Sequence, residues 1–292
     1  MSKLKAVKPK QTEPKKPAIL VYGEAGVGKT FTALDFPKVY YIDSERGATN
    51  KEYTDKLEKA GGVYFGIEQG SQNFDEVLEQ IRALRSEKHE YKTLVIDSFT
   101  KLFNTEIGNE QERLKKAGKK DEFGLSKKPA VAKARELVGL LSTLDMNVIL
   151  ICHETPNWSE GEQKGVKPDA WDKLMYELDL AFHIRKLGGS RKAFIVKSRI
   201  ASFPEATSID WAYSEFAARW GKEVMEREHK PVALATPEQL ARVAQLNDIL
   251  KTTPEEIDKH LSYGEAAKYE DMATDKIAFV INRLESKLPK QE

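Results

Sequence analysis

Short apolar runs alternate with stretches of helical period from Pro17 to about Gly221. Pro17-Ala-Ile-Leu-Val-Tyr22, Lys38-Val-Tyr-Tyr-Ile42, Gly62-Val-Tyr-Phe-Gly-Ile67, Thr93-Leu-Val-Ile-Asp97 and Asn147-Val-Ile-Leu-Ile-Cys152 read as buried strands. Between them, Phe31-Thr-Ala-Leu-Asp35 continues as a helix. Asn73 caps another helix, with Glu76 three residues on and Phe74, Val77, Leu78, Ile81 and Leu84 as its buried stripe. A third helix runs from Ala130 to Leu144. Strands alternating with helices predict an α/β fold on a mainly parallel sheet. Leu180-Ala-Phe-His-Ile-Arg185 and Lys192-Ala-Phe-Ile-Val-Lys197 flank Gly188-Gly189, a hairpin signal that extends the sheet with antiparallel strands.

The pattern breaks in a polar, proline-containing linker. Beyond it, Thr236-Pro-Glu-Gln239 and Thr253-Pro-Glu-Glu256 are capping boxes with proline at the first helical position. Ile277, Val280, Ile281, Leu284 and Leu288 then share one helical face. The expected organisation is a basic arm over 1–16, an α/β domain over 17–222, a linker over 223–235 and a small all-α domain over 236–292. The arm carries six lysines against Glu13 alone and reads as disordered, serving either solubility or nucleic-acid contact.

The net charge of +1 gives no global pull toward nucleic acid or membrane. One cysteine, Cys152, excludes an intramolecular disulfide framework and fits a reducing cytosol. No stretch approaches the roughly 20 apolar residues of a membrane span, so a soluble, cytoplasmic protein is expected.

Gly23-Glu24-Ala25-Gly26-Val27-Gly28-Lys29-Thr30 carries the chemistry. It fits G-x-x-x-x-G-K-[ST] and sits between a strand and a helix, where backbone N–H groups converge on phosphate. Lys29 would neutralise the β- and γ-phosphates of a nucleoside triphosphate, and the Thr30 hydroxyl would ligate Mg²⁺. Asp97, at the end of a strand expected beside the loop's own strand, would hold Mg²⁺ through water or else cap the next helix. Ser98 stands where many ATPases place a water-activating glutamate. Glu45, in Ile42-Asp43-Ser-Glu45, is the candidate base, with Asp43 expected to point the same way. His153 ends a third strand at this crevice.

In their order, these elements and the late Phe-Ile-Val-Lys197-Ser-Arg199-Ile-Ala-Ser-Phe-Pro204 resemble the ATPase core of RecA-family recombinases over about residues 17–215. The resemblance implies ATP hydrolysis with Mg²⁺. It gives Glu45 the base position, His153 the γ-phosphate sensor position (usually glutamine), and Lys197 and Arg199 the pair reaching a neighbouring subunit's ATP. It also implies self-assembly as a filament or ring. The compact core with a lysine-rich start and a helical tail is further similar to phage-encoded Sak-type single-strand annealing ATPases, which implies phage recombination and a host-cell cytoplasm. A single-strand-binding or other recombination protein is a further implied partner.

Two stretches are expected to be loops contacting single-stranded DNA. One, about 115–128, holds Lys115, Lys116, Lys119, Lys120, Lys127 and Lys128. The other, about 156–171, offers Trp158, Lys164, Lys167 and Trp171 in a Gly-rich, irregular setting. A helicase or packaging-type motor on the same core, and an ATP-dependent loader binding a protein through residues 236–290, are the alternatives.

Overall fold

The structure, a computed structural model, describes Ala6 and residues 13–288. Lys3, Lys5, Lys8 and Lys10 of the basic arm lie outside the described residues. In chain order the core contains β1 (Ala18–Tyr22), α1 (Lys29–Ala33), β2 (Val39–Asp43), α2 (Lys51–Lys59), β3 (Val63–Phe65), α3 (Phe74–Ser86) and β4 (Thr93–Asp97). Next come α4 (Phe99–Lys116), α5 (Lys127–Thr143), β5 (Asn147–Cys152), β6 (Glu154–Ser159), β7 (Glu162–Pro168) and α6 (Leu174–Glu177). The core closes with β8 (Leu180–Leu187), β9 (Ser190–Ser198), β10 (Ser208–Asp210), α7 (Tyr213–Trp220) and α8 (Lys222–Met225). The helices α9 (Pro237–Leu250), α10 (Pro254–Gly264) and α11 (Thr274–Glu285) follow.

Eight strands form one sheet in the order β10-β9-β8-β1-β5-β4-β2-β3. All pairings from β8 to β3 are parallel, while β8–β9 and β9–β10 are antiparallel. The sheet therefore has the expected α/β class, mainly parallel with an antiparallel extension at the Gly188-Gly189 turn. One expectation about neighbours is corrected. The strand ending in Asp97 is not beside β1, because β5 lies between them and pairs with both. Strand order follows from long-range packing, which local apolar pattern does not encode.

The central strands β4 and β5 are buried along their whole length, which is why they read as continuous apolar runs. One face packs on the Phe74, Val77 and Ile81 stripe of α3, on Phe99 and Phe103 of α4, and on Ala134 and Leu137 of α5. The other face packs on an aromatic group of Phe36, Phe182, Phe203, Trp211 and Phe216. The Asp97–Ser98 peptide is cis.

The second stretch expected to be irregular is instead the two-stranded hairpin β6–β7. Its turn residues Glu160 and Gly161 both have positive φ, 55° and 81°. A two-residue turn of that kind matches the twist of paired strands, and Thr155, Trp158 and Val166 suit a pleated surface. Trp171 packs against the core beneath the Arg135 guanidinium.

Both capping boxes close reciprocally. Gln239 N donates to Thr236 Oγ1 (3.3 Å) and Thr236 N to Gln239 Oε1 (3.0 Å); Glu256 N donates to Thr253 Oγ1 (3.3 Å) and Thr253 N to Glu256 Oε2 (3.2 Å). Helices α9 and α11 share a cluster of Val243, Leu246, Ile277, Val280 and Leu284. This cluster is joined to α3 by polar contacts: Arg85 Nη1 donates to Asp271 O (2.6 Å), and Arg82 Nε to Asp271 Oδ1 (2.8 Å). The polar stretch between α8 and α9 is bonded into the structure as well. Val232 N donates to Arg85 O, and Leu234 bridges Ala273. At the other end, Lys16 is buried and donates to Arg227 O (2.6 Å), and Trp220 Nε1 donates to Lys15 O (3.1 Å). The residues just before β1 are thus docked on the core. Among the described residues, no helix is long and apolar enough to cross a membrane.

Candidate functional site: a phosphate-binding crevice

β1 ends at Tyr22, and the chain turns through Gly23 to Gly28 into α1. Gly23 has φ +153°, and a Cβ there would stand 2.4 Å from the Ile184 carbonyl oxygen of β8, so only glycine lets the loop pass. Gly28 caps α1 in the left-handed region (φ 91°). Val27 is buried in the core, while Glu24, Ala25 and Gly26 face solvent. The Lys29 ammonium folds back onto the loop and donates to Gly23 O (2.7 Å) and Glu24 O (2.8 Å). Those carbonyls occupy the role that phosphate oxygens would take. Burial lowers the Lys29 pKa, against the opposing pull of Asp97 and Glu45.

Although β5 separates their strands, Thr30 Oγ1 donates to Asp97 Oδ2 at 2.5 Å, and Tyr41 OH reaches the same oxygen at 3.0 Å. Asp97 is 5 % exposed. Desolvation pushes its pKa up to about 6, opposed by the Thr30 hydrogen bond and helped by the Glu45 and Asp43 charges. A hydroxyl and a strained-for-charge carboxylate in contact are hard oxygen donors that suit Mg²⁺. The crevice has a volume of about 770 Å³, within the range of small-molecule sites. Loop, lysine, hydroxyl and carboxylate therefore fit a Mg²⁺-bound nucleoside triphosphate, whose γ-phosphate such a metal would polarise.

Glu45, Ser98 and His153 come together although they arise from three strand ends. Ser98 Oγ donates to Glu45 Oε1 (2.5 Å), and His153 Nε2 lies 2.6 Å from the same oxygen. Asp43 behaves otherwise than expected. It is buried, and its Oδ1 accepts from Glu45 N (3.1 Å) and Gly47 N (2.9 Å), so it shapes the turn that presents Glu45. His153 also roots the β6–β7 hairpin. Its N donates to Thr100 Oγ1 (2.9 Å), its O accepts from Asp169 N (2.9 Å), and Thr100 Oγ1 donates to Asp169 O (2.6 Å).

Lys197 and Arg199 do not join this group. Lys197 is paired with Ala181, which is level with Leu20 of β1, and Arg199 N bonds Asp179 O. Two to four residues back from the end of β1 corresponds to about 7–13 Å down the strands. Their side chains donate to the carbonyls of Leu178 and Tyr176 respectively, near the N-terminal end of the parallel strands, away from the loop. Burial and the Arg199 charge lower the Lys197 pKa.

Lys115 and Lys116 end α4, Lys119 and Lys120 follow it, and Lys127 and Lys128 open α5. All six are exposed, and among the described residues none is in an ion pair. Phe123 stands fully exposed among them. Trp158 is 65 % exposed on the hairpin, whereas Lys164 and Lys167 are paired with Glu160 (3.0 Å) and Asp172 (3.0 Å).

Several crevice residues carried no sequence signal. Phe31, Tyr53, Glu154 and Arg191 all line it. Glu154 Oε2 is 3.0 Å from His183 Nε2, whose ring stacks on Tyr22 at 4.8 Å. His183 and Arg191 are brought here by β8, which pairs beside β1, and by β9, which pairs with β8, a long-range event.

The fold and this site define a P-loop ATPase-type domain. Residues 15–187 match the family model described as AAA domain, and the chain belongs to that family. Among solved structures it is similar to the crystal structure of the RadB recombinase, with 19 % identity and a TM-score of 0.43 over 66 % of this chain and 86 % of that chain. A comparison with curated proteins gave no match.

Proposed function

We propose that this chain is a RecA-like, DNA-stimulated ATPase that acts on single-stranded DNA in phage-type homologous recombination or annealing, with ATP held between subunits. The observation that supports the reading is the division of the cations. Lys29 belongs to the crevice of its own chain, whereas Lys197 and Arg199 are bonded near the N-terminal end of the parallel strands, away from the loop. A pair so placed serves a neighbour's phosphates, where it would stabilise transition-state charge as arginine fingers do.

Within one chain, Glu45 is the group that orients and deprotonates the attacking water, held by Ser98 and His153. Lys29 and the loop amides bind the phosphates, and Thr30 and Asp97 hold Mg²⁺. His153 joins the phosphate crevice to the hairpin that displays Trp158, so bound-nucleotide state would alter the grip on DNA. The free lysines of the α4–α5 connection track phosphates and Trp158 stacks bases, a sequence-tolerant recipe. The C-terminal helices are proposed as a separate module that receives a single-strand-binding or other recombination protein.

The test is ATPase rate against protein concentration, with and without single-stranded DNA. The rate per chain should rise with both. A rate indifferent to DNA would sink the DNA reading, and unwinding of a tailed duplex would favour a motor. Mixing Lys197→Ala with Lys29→Ala chains should partly restore activity; no rescue in assemblies shown to be mixed would refute shared sites.

A further inference from the structure

The β8–β9 hairpin overshoots the end of β1. β8 pairs with β1 as far as His183, opposite Tyr22, then continues to Leu187 before returning through Ser190. Arg191, the second residue of β9, is brought back over the phosphate loop. Its guanidinium lies 5.1 Å from the Phe31 ring centroid. A Cβ built on Gly28 would stand 2.1 Å from its Nε and 2.5 Å from its Cδ, so the side chain rests directly on the loop backbone. Among the described residues, no carboxylate pairs with Arg191. An arginine with no acidic partner, lining an anion-binding crevice, is a donor fork without its acceptor.

The strand that carries it is fastened to the helix that carries the cradle. Trp211 N donates to Arg191 O (2.8 Å), Trp211 Nε1 to Lys29 O (3.4 Å), and Thr32 Oγ1 to Trp211 O (3.2 Å). Arg191 and the first turn of α1 are therefore held in one rigid unit.

We propose that Arg191 is a phosphate clamp acting within its own chain, which swings from the Phe31 ring onto the phosphates shared by nucleoside di- and triphosphates. The assignment rests on reading the crevice as a nucleotide site. Position selects the phosphates. Gly28 and Phe31 lie on the side of the loop whose amides cradle the α- and β-phosphates, whereas Glu45 and Asp97 mark the γ end. The clamp supplies binding in both nucleotide states, and it is distinct from Lys197 and Arg199, which are directed away from this crevice.

Equilibrium binding of Mg·ADP and Mg·ATP to the wild-type chain, Lys29→Ala, Arg191→Ala and Arg191→Lys tests this. Arg191 is exposed, so the alanine variant keeps its fold, which far-ultraviolet circular dichroism verifies. The expected result is that Arg191→Ala weakens ADP and ATP alike, about tenfold to hundredfold, with Arg191→Lys in between and Lys29→Ala abolishing both. Unchanged affinity in Arg191→Ala, with loss in Lys29→Ala, overturns the clamp and leaves the nucleotide site standing. A loss confined to ATP also overturns it. Absence of nucleotide binding by the wild-type chain overturns the site itself.

Discussion

Asp97 should weaken the fold in the absence of ligand, and the amount can be worked out. Its carboxyl is buried, and desolvation raises its pKa to about 6 from the ordinary 3.8. The folded chain thus binds this proton more tightly than the unfolded chain. The resulting destabilisation is absent below about pH 3.8, grows as pH rises to about 6, and is complete above that. The gap corresponds to about 3 kcal/mol at about pH 7.5 and about 1 kcal/mol at about pH 4.5.

Asp97→Asn removes the charge while keeping an oxygen for Thr30 and Tyr41, which both donate to Oδ2. The pKa of about 6 already contains the lowering effect of those two bonds, so the gap is the net effect of the charge. The variant should therefore be more stable than wild type by about 3 kcal/mol at about pH 7.5, and by only about 1 kcal/mol at about pH 4.5. In thermal unfolding with a chelator, that is a rise of about 5 °C at the higher pH. Adding Mg·ATP should reverse the order, since the wild-type chain alone gains from the ligand. If Asp97→Asn were less stable without ligand at about pH 7.5, or if its advantage did not shrink on acidification, the reasoning from burial would be refuted.

Glu45→Gln should retain nucleotide binding and lose about a hundredfold or more of single-turnover hydrolysis; a loss under about tenfold would remove Glu45 from the base role. The pair Lys119→Ala and Lys120→Ala should lower the salt slope of single-stranded DNA binding by about 1.4, whereas Trp158→Ala should weaken binding by about 1–3 kcal/mol with the slope unchanged. Equal slopes for wild type and the double variant would take these lysines off the DNA path. Thr253→Ala should cost about 1 kcal/mol in urea unfolding, because it removes the α10 cap; no change would mean that the cap is compensated by water.

The parts of this structure that were legible in the sequence are those fixed by local chemistry. The phosphate loop has a turn only glycines permit, and β4 and β5 are apolar end to end because both faces are covered. Gly188-Gly189 announced its hairpin by the same logic. Glu160-Gly161 was a weaker form of that signal, and the hairpin it turns read as an irregular loop. What remained hidden depends on distance along the chain. Nothing near Asp97 says that β5 will come between its strand and β1. Nothing near Arg191 says that its side chain will fall on Gly28, more than 160 residues earlier. Asp43 sits in the same short turn as Glu45, and which of the two faces the crevice is decided by the backbone amides that Asp43 accepts.

His153 occupies a position of unusual leverage. Its ring holds Glu45, while its own backbone N and O are the rivets at the root of the β6–β7 hairpin. Trp158 stands five residues further along, a reach of about 16 Å in an extended strand. A rotation of about 10° at the root would therefore carry the tryptophan by about 3 Å, close to the spacing of stacked bases. A change the size of one hydrogen bond at the mouth of the crevice is, at the far end of this arm, a displacement that the proposed stacking of Trp158 on bases would register.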